Sequence, residues 1–128
     1  MKKQLILSVV TLILGLQPIF VKAQAQSPRL LRHIVMITFK EGAPAREIKE
    51  VDDSFKNLAD KLRVVKGFEM GSAIADGKNK AVTHVYSFGF ASERDLADYE
   101  ASPEHQKHIK IGTAIIEKGQ AVDYWVEP

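Results

Sequence analysis

The chain has 128 residues, with 18 lysines and arginines, 16 aspartates and glutamates, and no cysteine. This length is enough for one domain with one hydrophobic core. The lack of cysteine excludes disulfide bonds and thiol-based catalysis, and a formal net charge of +2 is too small to indicate nucleic-acid binding.

The N-terminus has the pattern of a secretory signal. Two lysines follow the first residue, an apolar block runs from Leu5 to Leu16, and Ala23-Gln24-Ala25 has the small-x-small spacing of a signal-peptidase site. We predict a signal peptide over residues 1–25, cleaved after Ala25 or, alternatively, after Ala23, and a secreted or periplasmic protein. An uncleaved anchor is disfavoured because Gln17 and Pro18 interrupt the apolar run before the roughly 20 residues that span a bilayer. After cleavage we expect no stable membrane insertion.

Removal of this segment changes the charge of the protein. It takes Lys2, Lys3 and Lys22 but no acidic residue, which leaves 15 basic against 16 acidic residues in a mature chain of 103. The basic character therefore belongs to the precursor and gives no support to nucleic-acid binding. A domain of this size without disulfides often gains buried surface by forming oligomers.

The first half of the mature chain predicts a strand and a long helix. Residues 31–40 read LRHIVMITFK, with apolar groups at both parities, as in a strand that is covered on both faces. Pro44 suits the first turn of a helix, and Gly67 suits its C-terminal end. The apolar residues between them are spaced 3 or 4 apart, which predicts one amphipathic helix: Ile48, Val51, Phe55, Leu58, Leu62 and Val65.

The second half predicts the rest of a small α+β domain. Strands are expected over residues 68–76 and 81–90, joined by an Asp-Gly turn. A short helix should follow from Ser92 to Tyr99. A further helix, with Ser102 as N-cap and Pro103 at its first position, should extend toward Lys118 with a possible break near Gly112, before a last strand over residues 121–127.

The resulting order is β-α-β-β-α-β, the ferredoxin-like split βαβ arrangement with a four-stranded antiparallel sheet and helices on one face. The strands are apolar on both sides, so the sheet face away from the helices would be bare in a monomer. A second copy that covers this face is the simplest solution, and we predict a homodimer.

Five segments between His33 and Val126 form a recognisable set: HIVMITFKEGAP, SFKNL, GFEMG, THVYSFGFASERDLADYEASPEHQKH and VDYWV. Together they resemble the stress-responsive A/B barrel domain family, often called Dabb. The family pattern of Thr-His, Phe, Leu-x-x-Tyr and His-Pro-x-His is matched, except that Ser102 stands where the first histidine of His-Pro-x-His is usual. The resemblance implies a dimeric α+β barrel. It leaves the activity open, because many members have no assigned reaction and others are stress-associated proteins.

One enzymatic member of the family, a plant cyclase, implies a set of candidate site residues. It closes a linear polyketide by an aldol condensation without a cofactor, and its functional tyrosine and histidines match Tyr99, His105, His33 and His84. On this resemblance Tyr99 and His105 are candidate catalytic residues, and the chain could be a cofactor-independent cyclase or lyase that acts on a carbonyl compound. The alternative is a small-molecule-binding or stress-associated module in which these side chains only pack the fold.

The residue types at these positions suit carbonyl chemistry. An imidazole can remove a proton next to a carbonyl group, and a phenol can stabilise the resulting oxyanion. His105 is expected at the third position of its helix, where the helix dipole disfavours protonation of the ring. We therefore expect His105 to act as the base and Tyr99 as the donor.

The remaining candidates belong to the strands. His33 and His84 lie on adjacent antiparallel strands and could line a common pocket as substrate-binding residues, while Tyr86 and Phe88 would supply an apolar wall for a small hydrophobic carbonyl ligand or simply pack the core. His105 and His108 are three residues apart, but no ligand set for a metal is complete, and His108 is expected on a solvated helix face. We predict no metal and no cofactor.

Overall fold

A four-stranded antiparallel sheet and three helices form the fold, seen in a computed structural model that describes residues 29–74, 77–78 and 80–127. The predicted signal peptide and the Asp76 and Asn79 positions of the predicted turn lie outside these residues. The elements in chain order are β1 (Leu31–Phe39), α1 (Ala45–Lys61), β2 (Gly67–Ser72), β3 (Thr83–Phe90), α2 (Glu93–Ala101), α3 (Pro103–His108) and β4 (Ile116–Trp125). Within the described part of the chain, no helix is long and apolar enough to cross a bilayer.

The sheet has the strand order β2-β3-β1-β4, with antiparallel neighbours throughout. This is the ferredoxin-like fold predicted from the sequence. The two central strands supply the residues that the helices cover, because side chains alternate between the faces of a strand. Ile37 and Phe39 of β1 and Tyr86, Phe88 and Phe90 of β3 are buried on this inner face.

Helix α1 packs on the inner face through the side of its predicted apolar stripe. Val51, Phe55 and Leu58 are all at most 4% exposed, and the Phe55 ring stacks on the ring of Tyr86 with 3.7 Å between centroids. Burial of these two aromatic side chains stabilises the fold by more than their buried area alone suggests, because the contact between the rings adds roughly 1 kcal/mol. The helix ends at Lys61, so the prediction that Gly67 ends it was wrong, and Gly67 instead begins β2.

The region after α2 differs most from the prediction. Ser102 caps α3 and Pro103 is its first residue, as expected, but the helix ends at His108 instead of extending toward Lys118. Gly112 has a φ of +72°, and a Cβ atom there would overlap the Val51 side chain. The chain therefore turns at this glycine and passes close over α1, and β4 begins at Ile116, five residues before the predicted start.

The face of the sheet away from the helices, called here the outer sheet face, carries apolar side chains that are partly or largely exposed. Val122 and Tyr124 of β4 are 51% and 47% exposed, and the strand register places them beside Ile34 and Arg32 of β1. Met36 and Val85 continue the same surface. An apolar surface of this kind is typical of an interaction site.

Candidate functional site

Tyr99 and His105 are held together by the corner between α2 and α3. The Ser102 hydroxyl donates a hydrogen bond to the Tyr99 carbonyl oxygen over 2.7 Å and accepts one from the His105 backbone N–H over 3.1 Å. Serine is a favoured N-cap because its oxygen satisfies one of the free N–H groups of the first turn. As a result the rings of Tyr99 and His105 lie 4.9 Å apart.

His33 of β1 lies beside the same tyrosine, with 5.9 Å between ring centroids. It is only 5% exposed, and its Nδ1 atom lies 2.6 Å from Oδ1 of Asp123. The strand register explains this contact, because His33 and Asp123 are directly opposite in the β1–β4 ladder and such pairs point to the same side of a sheet. The hydrogen bond fixes the orientation of the His33 ring and leaves Nε2 as its remaining polar atom.

These three side chains line one cavity of about 330 Å³ between the sheet and the helices. Its volume is at the lower end of the range typical of ligand pockets, roughly 300–1,000 Å³. The rest of its wall is mostly apolar and comes from β1, α1 and the segment between α3 and β4. The full set of described lining residues is His33, Val35, Ile37, Val51, Phe55, Tyr99, Glu100, His105, His108, Ile109, Ile111, Ile116 and Ala121.

The protonation states of the cavity suit a neutral base and a neutral donor. Burial lowers the pKa of the His105 imidazole, and His33 acts in the same direction, while Glu100 opposes the shift. Burial raises the pKa of the Tyr99 phenol, with a further contribution from the Glu100 carboxylate. At neutral pH the imidazole can therefore accept a proton and the phenol can donate a hydrogen bond. The predicted direction for His105 agrees, but its main cause is burial and not the helix dipole.

One buried side-chain atom in this region, Nδ1 of His105, has no hydrogen-bond partner among the described residues. Tyr99 is 1% exposed and lies beside it, with 4.9 Å between the two rings. Buried polar groups are normally satisfied, so an unpaired atom beside a cavity indicates a place for a ligand or water.

His84, Tyr86 and Phe88 lie elsewhere on the inner face. His84 pairs with Ile37 in the ladder, four residues along β1 from His33, and its Nδ1 atom is 2.8 Å from Oδ1 of Asp52. The Tyr86 hydroxyl donates to the same carboxylate oxygen over 2.6 Å.

His33 and His84 therefore share the inner face, but His84 is not among the described residues that line this cavity. Of the four predicted substrate-binding residues, His33 alone lines the cavity. Phe88 is fully buried behind Tyr99, with 5.2 Å between their rings.

His108 is buried, which corrects the expectation of a solvated position. Its Nδ1 atom lies 2.6 Å from the Ser54 hydroxyl oxygen of α1, and its ring contacts Phe55 with 4.2 Å between centroids. Burial, followed by the effect of His105, lowers its pKa to about 4. His108 lines the cavity on one side and, on the other, an outer groove of about 510 Å³ between α1 and α3.

Asp123 is the site residue that sequence reasoning missed. It is 90 residues from His33, and no local motif marks it, so only the register of β4 against β1 could have identified it. Within the described ranges, no three histidine, aspartate or glutamate side chains converge as a metal site would require.

Comparison with known proteins agrees with this fold. Residues 31–126 match the model of the family described as Dabb, the stress responsive A/B barrel domain. The chain is 26% identical over 102 residues to the stress-response A/B barrel domain-containing protein HS1 of Arabidopsis thaliana, covering 79% of this chain and 92% of that protein.

Solved structures give the same result. A dimeric protein of unknown function with a ferredoxin-like fold from Bacteroides fragilis is 26% identical, with a TM-score of 0.61, and the match covers 76% of this chain and 96% of that one. The hydroxynitrile lyase of Passiflora edulis has a TM-score of 0.69 at 22% identity, over 79% of this chain and 96% of the lyase, a likeness that concerns the fold alone. The family match spans most of the chain, and the protein belongs to the stress-responsive A/B barrel domain family.

Proposed function

We propose that the protein binds a small, largely apolar carbonyl compound in the cavity formed by His33, Tyr99 and His105. The observation that carries this proposal is the buried, unpartnered Nδ1 atom of His105 at a mostly apolar cavity that His33 and Tyr99 also line. A ligand oxygen would accept a hydrogen bond from the phenol, and its hydrocarbon part would contact the isoleucine and valine side chains. Sites of this kind combine apolar burial with a few polar groups that orient the ligand.

A binding experiment with a simple ketone tests the proposal. We expect 4-phenylbutan-2-one to bind and to shift the NMR signals of Tyr99 and His105. Substitution of Tyr99→Phe should weaken binding by about fivefold, since a neutral hydrogen bond contributes roughly 1 kcal/mol. The control is Tyr124→Phe, which makes the same change on the outer sheet face, away from the cavity. Equal effects of the two substitutions, or binding that shifts signals remote from the cavity, would contradict the proposal.

A second candidate function is acid–base catalysis without a cofactor, of the cyclase or lyase type. The observation that favours it is the Asp123–His33 pair at 2.6 Å, which fixes one imidazole beside the cavity while His105 is neutral and available as a base. In this mechanism His105 takes a proton from the carbon next to the carbonyl, and the Tyr99 phenol donates to the developing oxyanion. His33, oriented by Asp123, holds the substrate.

Exchange of α-protons tests the catalytic candidate directly. In D2O the protein should replace the α-hydrogens of 4-phenylbutan-2-one with deuterium faster than buffer does. General base catalysis typically contributes about 10²- to 10⁴-fold, so His105→Gln should remove most of the acceleration, whereas His84→Gln, a histidine outside the cavity, should not. Binding without exchange in the unmodified protein would support the binding module and reject the enzyme.

The proposed assembly is a homodimer formed through the outer sheet face. Its support is the exposed apolar surface around Val122 and Tyr124 and the description of several structural neighbours as dimeric. Export remains a separate proposal that rests on the sequence of residues 1–25. N-terminal sequencing of protein recovered outside the cytoplasm tests it, with Gln26 or Gln24 expected as the first residue.

A further inference from the structure

Among the described residues that line the cavity, Glu100 is the one acidic side chain, and no lysine or arginine is present. Glu100 lies on α2 next to Tyr99, at the exposed margin of the cavity. Its charge acts on the polar groups of the site: it adds to the upward shift of the Tyr99 pKa that burial causes, and it opposes the lowering of the His105 pKa by burial.

Two neighbouring imidazoles do not offset this charge. His105 and His108 are neutral at pH 7 because burial lowers the pKa of each. Glu100 therefore has no lysine or arginine partner among the described lining residues, and neither of these histidines supplies a positive charge.

We infer that the cavity selects uncharged carbonyl compounds and rejects carboxylates, and that Glu100 is a specificity-determining residue at its margin. A carboxylate ligand would lose its hydration without gaining a lysine or arginine partner among the described lining residues, and burial of an unpaired charge is strongly unfavourable. Repulsion by Glu100 adds to this cost. This inference rests on the proposed binding function and deepens it by naming the charge class of the ligand.

A pair of nearly isosteric compounds tests the selectivity at pH 7.5. Methyl 4-acetylbenzoate is neutral, and 4-acetylbenzoate carries a carboxylate on the same aryl ketone. We expect the ester to bind at least about tenfold more tightly than the acid, since the anion must be desolvated without a partner. Titration calorimetry or NMR titration of the whole mature protein measures both dissociation constants.

Variants of two neighbouring glutamates separate the effect of Glu100 from a general change in surface charge. Glu100→Gln should reduce the ratio of the affinities for the ester and the acid by about threefold or more. This is the effect expected for the loss of one partly screened charge at close range. Glu104→Gln removes the same charge from a residue that lines the outer groove and not the cavity, and should leave the ratio unchanged. In Glu100→Gln the pKa of His105, followed by NMR, should also fall further below its ordinary value.

The outcomes distinguish this inference from the proposed function. Binding of the acid as tightly as the ester, or an unchanged ratio in Glu100→Gln, would overturn the inference and leave carbonyl binding intact. Failure of the protein to bind either compound would overturn the proposed function, and the inference with it.

Discussion

His108 should make the folded protein lose stability as the pH falls below neutral. Its ordinary pKa is 6.5, and in the fold burial lowers this pKa to about 4. The unfolded chain therefore binds a proton at this position between pH 6.5 and 4 while the folded chain does not. Each unit of pKa difference corresponds to about 1.4 kcal/mol, so this histidine should remove up to about 3 kcal/mol of unfolding free energy across that interval. This stabilisation is fully present above pH 6.5, is lost progressively between pH 6.5 and pH 4, and does not fall further below pH 4.

Urea unfolding at a series of pH values measures this effect, with one protein concentration throughout because dimerisation would couple concentration to stability. The comparison is with His108→Gln, which cannot titrate at this position. Its unfolding free energy should fall by about 3 kcal/mol less over the same interval than that of the unmodified protein. Ser54→Ala is the matched control. It removes the hydrogen bond to His108 but keeps the imidazole, so it should lower stability at every pH by about 1 kcal/mol and keep most of the slope. Parallel curves for the unmodified protein and His108→Gln would refute the reasoning, as would an NMR titration of His108 with a midpoint near 6.5.

Three further substitutions test other parts of the structure. Gly112→Ala should destabilise the fold by about 2–4 kcal/mol in thermal or urea unfolding, because alanine disfavours the positive φ and its Cβ atom would overlap Val51; a neutral result would contradict the close approach. Ser102→Ala should cost about 1 kcal/mol through loss of the cap on the His105 N–H, and unchanged stability would show that the cap is dispensable. Val122→Asp should convert the proposed dimer to a folded monomer, seen by light scattering together with circular dichroism, whereas a dimer of unchanged affinity would place the interface elsewhere.

The fold could be predicted from the sequence because its signals are local. The spacing of Val51, Phe55 and Leu58 identified the buried side of α1, and the alternation in residues 81–90 identified the inner face of β3. The end of α3 was not predictable in this way. Ile115 and Ile116 suit a helix as well as a strand. The close packing of Gly112 against Val51 of α1, a contact between residues far apart in sequence, favours the turn that ends the helix.

Local sequence signals identify only the Tyr99–His105 corner of the candidate site, whereas His33 was named from the family resemblance. Tyr99 and His105 lie six residues apart, and the Ser-Pro step between them has a recognisable capping signal. The register of β4 against β1 places Asp123 opposite His33, and the register of β3 against β1 places His84 opposite Ile37, away from His33. His108 was misassigned because helical spacing gives the face of α3 but does not show that α1 covers that face.

The serine at position 102 shows how the family pattern can change while the site geometry remains. A histidine is usual at this position in the family pattern, and its loss could be taken as evidence against a functional site. In the structure the Ser102 hydroxyl bonds the Tyr99 carbonyl and the His105 N–H at once. It therefore ties the end of α2 to the start of α3, and Tyr99 and His105 still meet at 4.9 Å. Serine serves this corner as a cap, and the imidazoles that line the cavity are supplied by His33, His105 and His108. With serine at this position, the proposed donor and base are still held side by side.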